Sequence, residues 1–107
     1  MNGSKTLEYK DLRMDINACR VTRLGREVHL GPKEFQILKC LLENPRKILS
    51  REYIMRHVWG YDAEVEIRTI DVHINRLRTA LKNDVDGSPF IKTVRAAGYC
   101  LGLPGHR

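Results

Sequence analysis

The chain has 107 residues, with 19 Lys and Arg against 13 Asp and Glu and a net charge of +6 at pH 7, so one domain around a single modest core is expected, with a charge balance compatible with a polyanionic partner. Its three cysteines, Cys19, Cys40 and Cys100, show neither a CxxC nor a His-paired spacing, which argues against a disulfide framework and a zinc site and fits reduced thiols. No apolar run approaches a membrane span and the start lacks a signal-peptide profile, so a soluble cytoplasmic protein without a membrane partner is expected.

Met1-Asn2-Gly3-Ser4 opens a segment, residues 1–6, read as linker or vector-derived residues; residues 7–103 are expected to form the domain and 104–107 a tail. Leu7 to Tyr9, Leu12 to Asp15, Cys19 to Arg23 and Glu27 to Leu30 are short, partly alternating runs divided by Asp, Asn and Gly, which predicts a small antiparallel sheet. Leu30-Gly31-Pro32 then starts a helix with Pro at its first position and Glu34 in its first turn, where negative charge suits the dipole. Phe35, Leu38, Leu41 and Leu42 supply its apolar face, and Asn44-Pro45 stops it. Ser50 is a good N-cap for a shorter helix from about Arg51 to Trp59, ended by Gly60. Tyr61 to Glu66 holds Asp62, Glu64 and Glu66 and no basic residue, an exposed acidic loop.

Between about residues 66 and 82, Ile67, Ile70, Ile74, Leu77 and Leu81 recur at spacings of three and four, one buried stripe of a helix. The opposite face gathers Arg68, Thr69, Val72, Asn75, Arg76 and Thr79, with Asp71 toward the flank and His73 at the edge. In a DNA major groove an arginine bridges guanine O6 and N7, an amide bridges adenine N6 and N7, and an aliphatic residue touches a thymine methyl. The bland alternative is a solvated polar face, with His73 a packed or solvated imidazole rather than a metal ligand. Lys82 to Pro89 reads as a loop, and Phe90 to Val94 with Tyr99 to Leu101 as a terminal hairpin about Ala96-Ala97-Gly98. A capped short helix, a connecting loop, a longer polar-faced helix and a hairpin, in that order, make a helix-turn-helix with a wing. Thr93, Arg95 and Tyr99 would then serve the wing, with Arg95 placed for a minor groove. No glycine-rich phosphate loop, HExxH or nucleophile–base pair supports an enzyme, a metal site or a cofactor. A winged-helix protein-interaction module, with the Ile67 helix in a protein groove, is the second reading.

Leu30-Gly31-Pro32-Lys33-Glu34-Phe35, Ser50-Arg51-Glu52, Val58-Trp59-Gly60, Arg68 to Ile74 with Arg76-Leu77-Arg78, and Thr93-Val94-Arg95 with Gly98-Tyr99 occur in that order. Over Leu7 to about Leu101 the chain thereby resembles the OmpR/PhoB family of winged-helix effector domains of response regulators, and within it the PhoB-like regulators. The resemblance implies an α+β fold: an N-terminal four-stranded antiparallel sheet, a three-helix core and a C-terminal hairpin wing. It also implies sequence-specific binding of double-stranded DNA for transcription control, with the helix at about 66–82 in the major groove and the wing at about 93–100 in the minor groove. Positions matching Arg68, Thr69, Val72, His73, Arg76 and Arg78 contact DNA in PhoB-like domains, and those matching Thr93, Arg95 and Tyr99 serve the wing. Asn75 departs from a frequent arginine and would change an anchor or a base preference, and Ala96-Ala97 lacks a hydroxyl that some relatives carry.

Further implications concern partners. The loop Trp59-Gly60-Tyr61-Asp62-Ala63-Glu64-Val65-Glu66 matches the transactivation loop, which meets RNA polymerase through a sigma factor or the alpha subunit. Family members bind direct-repeat half-sites with a second copy head to tail, under a receiver domain and a histidine kinase, and PhoB-like similarity suggests phosphate regulation.

Overall fold

The computed structural model describes residues 5–82 and 87–104. Residues 83–86 of the loop expected from Lys82 to Pro89, the first four residues and most of the expected tail lie outside the described residues. Strands β1 (Thr6–Tyr9), β2 (Leu12–Asp15), β3 (Arg20–Arg23) and β4 (Arg26–Val28) form an antiparallel meander in the order β1-β2-β3-β4. The sheet begins at Thr6, one residue ahead of the sequence expectation, because Thr6 pairs with Asp15. The β3–β4 connection is a two-residue turn, Leu24-Gly25, with both residues at positive φ, a geometry whose twist matches the flanking strands. That turn draws Arg26 into β4 and leaves His29 and Leu30 outside it. Cys19, expected in a strand, instead occupies the β2–β3 turn at φ 54°.

Helix α1 (Pro32–Glu43) starts at Pro32, whose missing N–H costs nothing there, and ends at Asn44, whose side-chain amide donates to the Cys40 carbonyl at 2.9 Å. It buries Ile37, Leu38, Leu41 and Leu42, with Phe35 only half-buried. Helix α2 (Arg51–Val58) is capped as expected: the Ser50 hydroxyl accepts from the Tyr53 amide at 3.0 Å. Helix α3 (Thr69–Leu81) buries Ile70, Ile74, Leu77 and Leu81 completely or nearly so. Ile67 is a correction. It was expected to begin the buried stripe, but it lies in the turn before α3 and is 39 % exposed. The amides of Thr69, Ile70 and Asp71 reach back only three residues, to Glu66, Ile67 and Arg68, so this tight turn departs from the α-helical spacing that would have buried Ile67.

The core gathers Leu12 and Met14 from the sheet, the apolar faces of the helices, and Ile91 and Leu101 from the terminal hairpin, β5 (Ile91–Val94) with β6 (Gly98–Leu101). The hairpin is joined to the segment before α2 by reciprocal backbone bonds between Leu49 and Tyr99, at 2.8 and 2.9 Å. Gly98 permits this approach: at φ +143°, a Cβ there would stand 2.0 Å from the Leu49 carbonyl oxygen. Gly98→Ala is therefore expected to destabilise the domain by more than about 1 kcal/mol, read as a lower urea midpoint at unchanged denaturant slope.

Candidate nucleic-acid interface

Because α3 turns Ile70, Ile74, Leu77 and Leu81 inward, its other side faces outward as a strip carrying Val72 (48 % exposed), Asn75, Arg76 and Thr79, with Thr69 half-buried. Thr79 turns its hydroxyl back to the Asn75 carbonyl at 3.0 Å. Arg76 is 66 % exposed, and its nearest acidic group is Glu34 at 4.0 Å. Arg68, just before the helix, is 81 % exposed and pairs with Glu66 at 2.6 Å, a contact of little worth at such exposure and open to exchange for another anion. Beside this strip the β5–β6 turn presents Arg95, Ala96 and Ala97, all exposed, and Arg95 has no side-chain partner among the described residues.

Several expected contact residues are held inside the protein. Tyr99 is 4 % exposed, its hydroxyl donates to Asp71, and its ring lies between two guanidinium groups, Arg51 at 5.0 Å and Arg78 at 5.5 Å from the centroid. Asp71 also accepts from Arg51 Nε at 2.7 Å. Burial pushes the Asp71 carboxyl up, but the bonds from Tyr99 and Arg51 outweigh it and hold the group below its ordinary range. Arg78 donates to the Ile91 carbonyl at 2.8 and 3.1 Å and to the Thr93 hydroxyl at 2.7 Å. The structure thus uses Tyr99, Arg78 and Thr93 to brace the wing against α3. A third brace comes from the sheet: Arg23 pairs with Asp11 at 3.1 Å, donates to the Leu81 carbonyl at 3.1 Å and stacks on Phe90.

His73 Nδ1 lies 2.5 Å from Glu34 Oε2. Glu34 stands in the first turn of α1 as expected, and it is buried there, 7 % exposed. The α2–α3 loop separates likewise. Trp59 packs against the core, 5.3 Å from the His73 ring and beneath the Lys33 ammonium. Val65 also packs on the core, whereas Tyr61 (81 % exposed), Asp62, Glu64 and Glu66 face outward, and Gly60 and Ala63 are half-buried. A groove of about 800 Å³ lies elsewhere, between the β2–β3 turn, α1 and α2, and no residue of α3 or the wing lines it. Among the described residues no cluster of His, Cys, Asp or Glu suits a metal ion, and no helix is long and apolar enough to cross a membrane.

Residues 25–101 match the family model described as transcriptional regulatory protein, C terminal. The chain belongs to this family. It is an effector domain of the OmpR/PhoB type of response regulator, a family of DNA-binding transcription regulators rather than of enzymes. It is 45% identical over 98 residues to the phosphate regulon transcriptional regulatory protein PhoB of Rhizobium meliloti, covering 92% of this chain and 43% of the relative. Identity to the DNA-binding response regulator MtrA of Mycobacterium tuberculosis is 35% over 101 residues, 94% of this chain and 44% of the relative. The chain therefore spans less than half the length of the curated relatives it matches. Among solved structures, the DNA-binding domain of CpxR from E. coli superposes with a TM-score of 0.82 at 30% identity, covering 95% of this chain and 100% of that one. The Klebsiella pneumoniae RstA DNA-binding domain, solved in complex with the RstA box, gives 0.80 at 30% identity, with 94% and 99% coverage.

Sequence reasoning about this effector domain missed Glu34 and Arg51 as parts of the site. A signal for Glu34 was present: it stands four residues before Leu38 and seven before Leu41, on the buried stripe of α1. No local signal marks Arg51, whose partners lie in α3 and β6. The Glu34 carboxyl is pushed up by burial, but the His73 hydrogen bond, its own backbone amide and the neighbouring positive charges of His73 and Arg76 leave it below the ordinary value of 4.5. A carboxyl lowered by folding stabilises the native state fully above its unfolded value and ceases to do so as pH falls through the folded value. Unfolding midpoints are therefore expected to drop below about pH 4.5, and Glu34→Gln to show a lower midpoint at neutral pH with a shallower acid decline.

Proposed function

We propose that this chain binds double-stranded DNA sequence-specifically as the output domain of a two-component response regulator, with α3 in the major groove and the β5–β6 turn in the minor groove. The observation that carries the reading is the exposed strip Val72, Asn75 and Arg76 on a helix whose opposite face is fully buried, with an exposed Arg95 in the β5–β6 turn that has no side-chain partner among the described residues. Val72 meets a thymine methyl, Asn75 and Arg76 meet base edges, and Arg95 enters the minor groove. Arg68, Thr69 and His73 serve the phosphates, supplying salt-sensitive affinity without sequence information. Tyr99, Thr93 and Arg78 act mainly by setting the angle between helix and wing, with Arg78 and Thr93 near enough to the surface to add a backbone contact. That the related RstA domain is solved in complex with the RstA box supports the DNA-binding reading.

One such domain presents a small interface and binds weakly alone, so direct-repeat half-sites with a second copy head to tail, and a receiver domain under a histidine kinase, supply the remaining affinity. The likeness to PhoB supports control of a phosphate regulon, and the exposed Tyr61, Asp62, Glu64 and Glu66 form the surface that meets RNA polymerase, through its sigma or alpha subunit. Charge-neutral substitutions at Asp62 and Glu64 should leave DNA affinity intact and reduce transcript yield from a reconstituted promoter; equal yields would remove the polymerase assignment.

Fluorescence anisotropy on duplexes carrying two direct half-sites, against scrambled duplexes at two salt concentrations, tests the central reading. Binding is expected to weaken steeply with salt, and Arg76→Ala and Val72→Ala each to lose about 1–3 kcal/mol of preference for the specific duplex. Salt-independent association, or none at low salt, would instead favour a protein-interaction module.

A further inference from the structure

Lys33 stands at the start of α1, and its ammonium lies 5.1 Å from the centroid of the Trp59 ring. The same ring meets His73 of α3 at 5.3 Å, so Trp59 carries the lysine and the imidazole on one platform. Glu34, the next residue of α1, fastens this corner to α3: its Oε2 lies 2.5 Å from His73 Nδ1 and 4.0 Å from Arg76. At about 100° per residue, His73 and Arg76 lie on one flank of α3 and Asp71 and Arg78 on the other. Asp71 and Arg78 are the residues that bond to the wing, through Tyr99 and Thr93. The exposed strip is therefore bordered on one side by the wing with Arg95, and on the opposite side by the corner that holds Lys33.

A lysine on a helix surface is ordinarily a solvated charge on a mobile stem. Lys33 is instead half-buried and seated on an aromatic face. The acid beside it in sequence is directed to His73 and Arg76, and no carboxylate among the described residues pairs with Lys33. An ammonium offers three donors and a phosphodiester oxygen only accepts, so the two are matched. A side chain already seated also has less freedom to lose on binding.

We propose that Lys33 is a DNA-backbone contact supplied by α1, outside the helix-turn-helix and the wing, and that Trp59 is its positioning residue. The inference rests on the reading of α3 as the DNA-contacting helix. It adds a phosphate on the flank of the major groove away from the wing, so that anchors stand on both sides of the strip. Such a contact strengthens binding without adding sequence preference.

The test is the salt dependence of binding to a duplex carrying two direct half-sites, between about 50 and 200 mM salt. Lys33→Gln is expected to reduce the slope of log affinity against log salt by about 0.9 per bound domain, with the preference over a scrambled duplex unchanged. Lys33→Arg should keep the slope, as should Lys39→Gln, whose lysine lines the groove away from α3. Replacing single phosphates by neutral methylphosphonates should reveal a position, across the major groove from the wing, that weakens the native chain and leaves Lys33→Gln unaffected. Trp59→Phe should retain the native slope, and Trp59→Leu should lose it with no further loss when Lys33→Gln is added. Should Trp59→Leu fail to fold, the Lys33 variants still decide. A native slope in Lys33→Gln, or an equal change in Lys39→Gln, would overturn the inference and leave the DNA reading standing. Absence of salt-sensitive binding by the native chain would overturn both.

Discussion

Everything on the outer surface of α3 depends on the burial of Ile70, Ile74, Leu77 and Leu81 against the helices and hairpin behind it. Each buried aliphatic side chain contributes about 1.5–3 kcal/mol, and rotating the helix to present another face would forfeit several at once. The rotational setting of Val72, Asn75 and Arg76 is thus decided by residues that touch no partner. Their use as a reading surface requires nothing beyond being on the far side of a well-packed stripe.

Packing alone does not set the relation between α3 and the wing. That is done by polar braces in which positive charge serves architecture. Arg51 and Arg78 flank the Tyr99 ring, Asp71 accepts from both Tyr99 and Arg51, and Arg23 reaches from the sheet to the last carbonyl of α3. A half-buried carboxylate such as Asp71 would be costly alone and is compensated by its donors. The domain's net charge consequently overstates its free cationic surface: Arg23, Arg51 and Arg78 are occupied within the fold, whereas Arg76 and Arg95 are the cations most available beside the exposed strip.

Glu34 places a second compensated carboxylate where α1 begins, with the His73 imidazole as its hydrogen-bond partner. Gly31 makes room for it, since a Cβ there would stand 2.5 Å from Glu34 Oε1. A buried acid near a surface read as meeting DNA phosphates is unfavourable electrostatically unless a cation or a proton stands between them, and here His73 and Arg76 do so.

The order of elements, the cap at Ser50, the stop at Asn44 and the outward strip of α3 were legible in the sequence, because each rests on relations within a few residues: helical spacing, a side chain reaching its own helix start, a proline at a first turn. Ile67 shows where that logic ended, since a locally tightened turn broke the period one step before α3 began. The roles of Tyr99, Arg78, His73, Trp59 and Glu34 were decided only by tertiary structure. As residue types they suit DNA contact or solvent equally well, and what commits them is a partner 28 residues away for Tyr99 and 39 for His73. Such partners come together only when α1, α3 and the wing close on one core, and no local period encodes that closure.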